Sequence, residues 1–315
     1  MSAVYSSPSR VPLVEPVAGS CLAEELSRQS PLRQFRGLEI HSIHGDDCPR
    51  VMREIGRIRE AVFRQVGAGR NLACDTDALD FGPHAYHQLI AWDPHRREIV
   101  ATYRYQLGER AVKQGDQVLR TTMLFDYAPE FRVDWLAHGI ELGRSVVNPQ
   151  ARRRSLGLYG LWSGLGALLA KHPETRCFFG NVSLYRGLDS RARECIAGYL
   201  EHFYGGGEAA WLRARPGVQY GPKAPPCAPQ ELAADPAGRI RQLRGLIEPF
   251  GEQVPPLLQS YLGLGTGVRF GQIAEDHDFG GALEVGLVVP VATIDEAVLA
   301  RFMGPGAGMA GSSQR

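Results

Sequence analysis

The chain has 315 residues, of which 35 are basic and 34 acidic, giving a net charge of +1; 44% are hydrophobic and 22% charged. So even a balance excludes the strongly basic footprint of a nucleic-acid-binding protein. The composition is that of a globular chain long enough for one large domain or two small ones. No stretch reaches the roughly 18 apolar residues that span a bilayer, and Met1 to Ser20 lacks the basic and apolar regions of a secretory signal.

Residues 1–36 mix Pro, Ser and Arg without periodicity and are expected as a flexible arm. Structure is expected to begin at Leu38–Ile43, an alternating strand. A helix follows from Pro49 to Val66, capped by Asp46 and Asp47, its apolar positions Val51, Ile55, Ile58, Val62 and Val66 recurring at three and four. The polar segment Asn71 to Pro83 reads as a loop. Tyr86 to Trp92 and Ile99 to Leu107 read as strands joined by a hairpin turn at Asp93–Arg97. Gly139 to Val147 is the next strand, then a basic loop at Asn148–Ser155 and a helix from Leu156 to Lys171 with Ser155 as its N-cap. Cys177 to Leu184 is a strand, and Asp189 and Ser190 cap a helix that ends at Gly205–Gly207. Beyond an irregular, Pro-rich stretch, two short helices (Arg239 to Phe250, Pro256 to Leu262) and a strand (Leu283 to Val291) complete an α/β sandwich with a mixed sheet.

The six cysteines, at 21, 48, 74, 177, 195 and 227, form no C-x-x-C pair. Neither a zinc ribbon nor a redox pair is expected, and a reducing cytoplasm fits best. His84 and His87 lack a third ligand at recognisable spacing, so no metal is expected.

Three constellations carry chemistry. The first is the strand, basic loop and helix at 139–171, where a helix N-terminus offers unpaired N–H groups and a positive dipole end to an anion. Pro149 ends the strand, Arg152, Arg153, Arg154 and Ser155 follow, and Gly157 permits close approach to the backbone. The second is Glu141-Leu142-Gly143-Arg144-Ser145. Period two puts Glu141 and Arg144 on opposite faces, and a bulge at Leu142–Gly143 would bring them to one face and free an N–H for a thioester oxyanion. The third is Asp75, Asp77 and Asp80 with Arg59 and Arg104, a group suited to a cationic amine and its proton.

The loop at 149–157 resembles the acyl-donor loop of GNAT-fold acyltransferases. Arg59-x3-Phe63, Asp77-x2-Asp80, Arg104 and Glu141-x2-Arg144 resemble the core of the acyl-homoserine-lactone synthases, although Ala68 stands near the position of that family's aromatic residue. A wider resemblance, over about 38–304, is to the hemolysin-like GNAT N-acyltransferases of ornithine and glycine lipid synthesis. It rests on Ala85–Pro94, Glu141–Ser145, Leu161-Trp162-x-Gly164-Leu165, Phe178–Ser183 and Val254–Leu258.

That resemblance implies a GNAT-like mixed sheet flanked by helices: a core at 37–205, a C-terminal extension at 206–304 packing on it, and a flexible tail at 305–315. It implies transfer of a 3-hydroxy fatty acyl group from acyl carrier protein, or from coenzyme A, to the α-amino group of ornithine or glycine, with no permanently bound cofactor. Glu141 is expected as base, with Arg144 and Tyr185 as its catalytic partners. Arg59, Asp77, Asp80 and Arg104 are expected at the acceptor. Gly143 and the Arg152–Gly157 turn are expected at the donor, the three arginines docking the acidic carrier protein. The expected location is the cytoplasm, with peripheral contact at the inner membrane. The competing expectations are a lactone signal synthase and a membrane-active, hemolysin-like protein.

Overall fold

The computed structural model describes residues 10–204, 209–222 and 231–303. In chain order the helices are α1 (Gly19–Leu26), α2 (Pro49–Gln65), α3 (Gly108–Gln114), α4 (Pro129–Asp134), α5 (Gly157–Lys171), α6 (Ser190–Tyr204), α7 (Pro236–Ile247), α8 (Pro256–Leu262) and α9 (Glu296–Met303). The strands are β1 (Arg33–Phe35), β2 (Leu38–His44), β3 (His87–Asp93), β4 (Glu98–Leu107), β5 (Phe125–Tyr127), β6 (Gly139–Val147), β7 (Cys177–Leu184), β8 (Leu212–Ala214), β9 (Gln219–Tyr220), β10 (Arg269–Asp276) and β11 (Ala282–Pro290).

Nine strands form one sheet in the order β1-β2-β3-β4-β6-β7-β11-β10-β9, and β5 pairs with β8 apart from it. Every neighbouring pair in the large sheet is antiparallel except β6 and β7. A parallel pair needs a crossover, and α5 supplies it. Helix α5 lies close on β2 and β3: a methyl group at Gly164 would meet Ile40 and Leu89 side-chain carbons at 2.8–3.0 Å.

One face of the sheet carries a single apolar core with α5, α6, α7, α8 and α9. The other face carries two separate apolar clusters, one under α1 and α2 and one under α3, α4, β5 and β8. Between them lies a strip of buried charge: Arg59, Asp75, Asp80, Arg104, Glu141, Asp276 and Glu284. Ion-pairing keeps such groups buried, since an isolated charge there would be very costly.

The strand and helix expectations from 38 to 107 and from 139 to 204 match within two residues. Three readings need correction. Residues 10–36 are no loose arm. Leu22 and Leu26 of α1 are buried, and the Glu25 carboxylate accepts hydrogen bonds from the N–H groups of Arg50 and Val51 at 3.1 and 2.9 Å. Glu25 therefore caps α2, and no side chain at its N-cap, Cys48, does so. Nor is the C-terminal region a layer laid on a finished core. β11 pairs with β7 over eight residues and β10 follows it, so residues 269–290 complete the central sheet. Gly205–Gly207, Cys227 and the tail at 305–315 lie outside the described residues. Among those described, Cys21, Cys48, Cys74 and Cys177 are free thiols, and no helix is long and apolar enough to cross a membrane.

Candidate active site

β6 and β7 run paired from Gly139↔Cys177 to Leu142↔Gly180 and then part. On its other edge β6 pairs Gly143 with Arg104 and Val146 with Thr102, which leaves two residues, Arg144 and Ser145, opposite one residue of β4. That is a bulge, and Arg144 sits at its centre with φ +54°. The left-handed conformation of a non-glycine residue costs energy and marks a position held by its surroundings. The bulge falls two residues later than the sequence places it, at Arg144–Ser145 and not Leu142–Gly143. Ile140 and Leu142 point into the core under α5, while Glu141 and Arg144 share the opposite face.

A cleft opens where the strands part. Tyr103 and Arg104 of β4, Gly143 to Ser145 of β6, Asn181 and Ser183 of β7, and Tyr185 line it. Phe63 of α2, Leu257 of α8, Arg120, Asp276, Phe279 and Glu284 close it. A second cavity adjoins it, lined by Arg70, Asp77 and Met123, and shares Arg120, Arg144 and Phe279 with the first.

Glu141 was expected to face this opening, and it does not line it. Its carboxylate is buried and both oxygens are taken: Oε1 by the Thr121 N–H at 2.7 Å, Oε2 by the Tyr86 hydroxyl and, at 3.3 Å, by the Arg120 N–H. Burial nevertheless raises its pKa above the ordinary glutamate value. Two acids do line the cleft: Asp276, which pairs with Arg120, and Glu284, on the middle of β11. Its Oε2 accepts hydrogen bonds from Asn181 Nδ2 and, at 2.9 Å, from Ser183 Oγ. Its Oε1 has no hydrogen-bond partner among the described residues. Glu284 and Arg120 were absent from the sequence reading. The available signal was a lone carboxylate in the otherwise apolar strand Ala282–Pro290.

Arg59 and Asp80 are also corrected as acceptor ligands. Both are fully buried and pair at 3.0 Å, Arg59 also donating to Gln88 Oε1 at 2.6 Å. Burial opposes the charge on Asp80, but Arg59 and Arg104 hold its carboxyl well below the usual range. Arg104 reaches the cleft wall, its Nη1 donating to Asp77 at 3.0 and 3.1 Å and to Asp80 at 3.4 Å. These residues brace the sheet beneath the site.

Arg144 is held more loosely. It lies 5.4 and 4.5 Å from the ring centres of Phe63 and Phe279, and its nearest carboxylates are Asp75 at 3.5 Å and Asp77 at 3.8 Å. Burial pulls its pKa down to about 10, and its Nε is buried without a hydrogen-bond partner. Tyr185 stands over the same rings, and burial pushes its hydroxyl up to about 12.

At the far end of β6, Arg152 and Arg154 are exposed and α5 begins with no side-chain cap. Ser155, expected to cap it, lies in the short 3₁₀ turn before the helix. Arg153 turns away from the loop's open side, donating to the Arg36 carbonyl and lying 3.9 Å from Asp93. Gly157 has a packing reason: a methyl there would stand 3.1 Å from the side chains of Ala101 and Val147.

A bulged strand that splits from a parallel neighbour, with a cleft at the fork and an uncapped helix after it, defines a GNAT-class acyltransferase. Residues 58–163 accordingly match the Acetyltransferase (GNAT) domain family. Similarity extends much further than that segment. The chain is 33% identical over 299 residues to a glycine N(alpha)-acyltransferase of Bacteroides thetaiotaomicron, covering 90% of this chain and 87% of that protein. It is 30% identical over 306 residues to one of Phocaeicola vulgatus, covering 90% of each. The chain belongs to this family of GNAT acyltransferases. A solved structure of a CoA-dependent acyl-homoserine lactone synthase aligns with a TM-score of 0.39 and 14% identity, over 86% of this chain and 98% of that one.

Proposed function

We propose that the protein transfers a fatty acyl group, 3-hydroxylated as in the aminolipid pathways it resembles, from a phosphopantetheine thioester to the α-amino group of glycine. The observation that carries this reading is the cleft at the β6–β7 fork with the bulge at its wall. A thioester entering the fork meets the bulged backbone at Gly143–Ser145, where an N–H aimed at the carbonyl oxygen stabilises the developing oxyanion, an effect worth about 3 kcal/mol of barrier in comparable sites. Transfer in this reading is direct, amine to thioester, and among the described residues no cysteine lines the cleft.

The uncapped start of α5, with Arg152 and Arg154 beside it, suits the phosphate of the pantetheine arm and an acidic carrier protein. Carrier protein is the proposed donor, with coenzyme A the alternative that the experiment separates. Tyr185 keeps its proton and offers a hydrogen bond to the departing thiolate. Arg144 and, through Asp77, Arg104 shape the acceptor side. Glycine is favoured over ornithine because the names of the relatives carry it and because aromatic rings crowd Arg144. The product, an N-acyl amino acid, is a lipid precursor, and release at the inner-membrane surface follows from its chemistry.

The test is the purified protein with 3-hydroxyacyl carrier protein or the matching coenzyme A ester, offered glycine or ornithine, with amide products read by mass spectrometry. N-acylglycine formed faster from carrier protein is the expected result. Thioester consumption without any amide would refute the reading.

A further inference from the structure

The cleft holds more polar chemistry than a thioester needs. Glu284 leaves Oε1 without a partner on the cleft wall, while both oxygens of Glu141 are filled. Arg120 gives one arm to Asp276, and its Nη1 is buried with no partner. Arg144, equally short of partners, joins Arg120 in lining both cavities. Unpaired guanidinium N–H groups are costly to keep in a dry site, and an anionic guest removes that cost.

We propose that Arg120 and Arg144 clamp the α-carboxylate of the amino acid acceptor while Glu284 takes the proton that its α-ammonium must lose. The inference rests on the acyl-transfer reading and names the acceptor site within it. Carboxylate and ammonium of one α-amino acid are adjacent, and the cleft presents cations and a carboxylate side by side to match. Phe63 and Phe279 flank Arg144 and leave little room for a side chain, so the acceptor is a small one.

The protons balance as follows. Glu284 removes one from the ammonium, and the freed amine attacks the thioester carbon. The C–N bond forms, the C–S bond breaks, and the nitrogen's second proton passes to the thiolate. Products are the amide, the free thiol and a protonated Glu284, which returns its proton to solvent. Burial, with Asp276 nearby, raises the pKa of Glu284 and makes it a better base, opposed by hydrogen bonds from Ser183 and Asn181 and by the charge of Arg120.

Glu141 acquires a role here. By accepting the backbone N–H groups of Arg120 and Thr121 it fixes the loop that carries Arg120, and is a positioning residue.

The experiment compares glycine with glycinamide on the intact protein and on three variants, with dodecanoyl-coenzyme A or dodecanoyl carrier protein as donor and thiol release as the readout. Wild type should prefer glycine. Arg120→Gln should raise the KM for glycine at least 10-fold and erase that preference. Glu284→Gln should lower kcat with glycine by about 100-fold at pH 7, regain rate as the pH rises and solvent generates free amine, and leave the KM for the donor unchanged. Glu284→Asp, which keeps the charge, should restore part of the rate with a normal pH profile, and covers the case in which the glutamine variant folds poorly. Equal use of glycine and glycinamide by the wild type overturns the clamp. A Glu284→Gln enzyme with wild-type rate and pH profile overturns the proton acceptor. In either case glycine acylation itself would stand, whereas no amide from any amine would bring down the transfer reading.

Discussion

Replacing Glu141 with alanine separates a solvent-facing base from a buried brace. In the folded protein its carboxylate accepts from the Thr121 N–H, the Tyr86 hydroxyl and the Arg120 N–H. The Arg120 N–H also donates to the Tyr86 oxygen at 2.6 Å and keeps that bond in the variant. Two buried donors are therefore orphaned, at about 1–3 kcal/mol each. Removing a buried charge returns part of this, for a net loss of about 3 kcal/mol. Glu141→Gln retains an acceptor for Thr121 and should lose about 1 kcal/mol. The assay is urea unfolding followed by tryptophan fluorescence, with thermal melts alongside. Activity should fall together with stability, because the Arg120 loop loosens. A Glu141→Ala protein that unfolds at the wild-type midpoint yet has lost turnover would refute the reasoning and restore Glu141 as the base.

Arg59→Met should cost about 3 kcal/mol, since it removes the nearer of two guanidinium groups on the buried Asp80 and leaves Arg104 at 3.4 Å, and adding Asp80→Asn should recover part of that loss in a double-mutant cycle; strictly additive losses would deny the pairing. His87, stacked on Tyr105 at 5.2 Å, has its pKa pushed down to about 4 by burial and by the charge of His44. The unfolded chain therefore takes up this proton first, so stability falls as the pH drops from about 6.5 towards 4, by up to about 2 kcal/mol at pH 5. His87→Phe should flatten that part of the stability–pH curve; an unchanged curve would assign the acid sensitivity elsewhere. Charge reversal at Arg152 and Arg154 should raise the KM for acyl carrier protein at least 10-fold at low salt and change that for glycine little. An unchanged KM would move the docking patch.

Elements with two or more turns of repeating apolar residues were legible in the chain: α2, α5 and α6 at period 3.6, and β2, β3, β4, β6 and β7 as short apolar or alternating runs bounded by turns. The helices α3 and α4, of seven and six residues, are too short to show a period, and 108–138 gave no signal. The bulge was legible because Glu141 and Arg144 are odd partners on one strand.

Local sequence thus determined the bulged strand and the basic turn that follows, because both are written within about twenty consecutive residues, 139–157, whereas the fork needs β7 to pair from beyond α5. Which carboxylate faces the opening was decided only by tertiary structure. Glu141 lies in the motif but is sealed by a loop from 119–121, whereas Glu284 arrives from a strand a hundred residues beyond β7. A strand's pattern tells which face a side chain takes; what else packs against that face depends on segments far away in sequence.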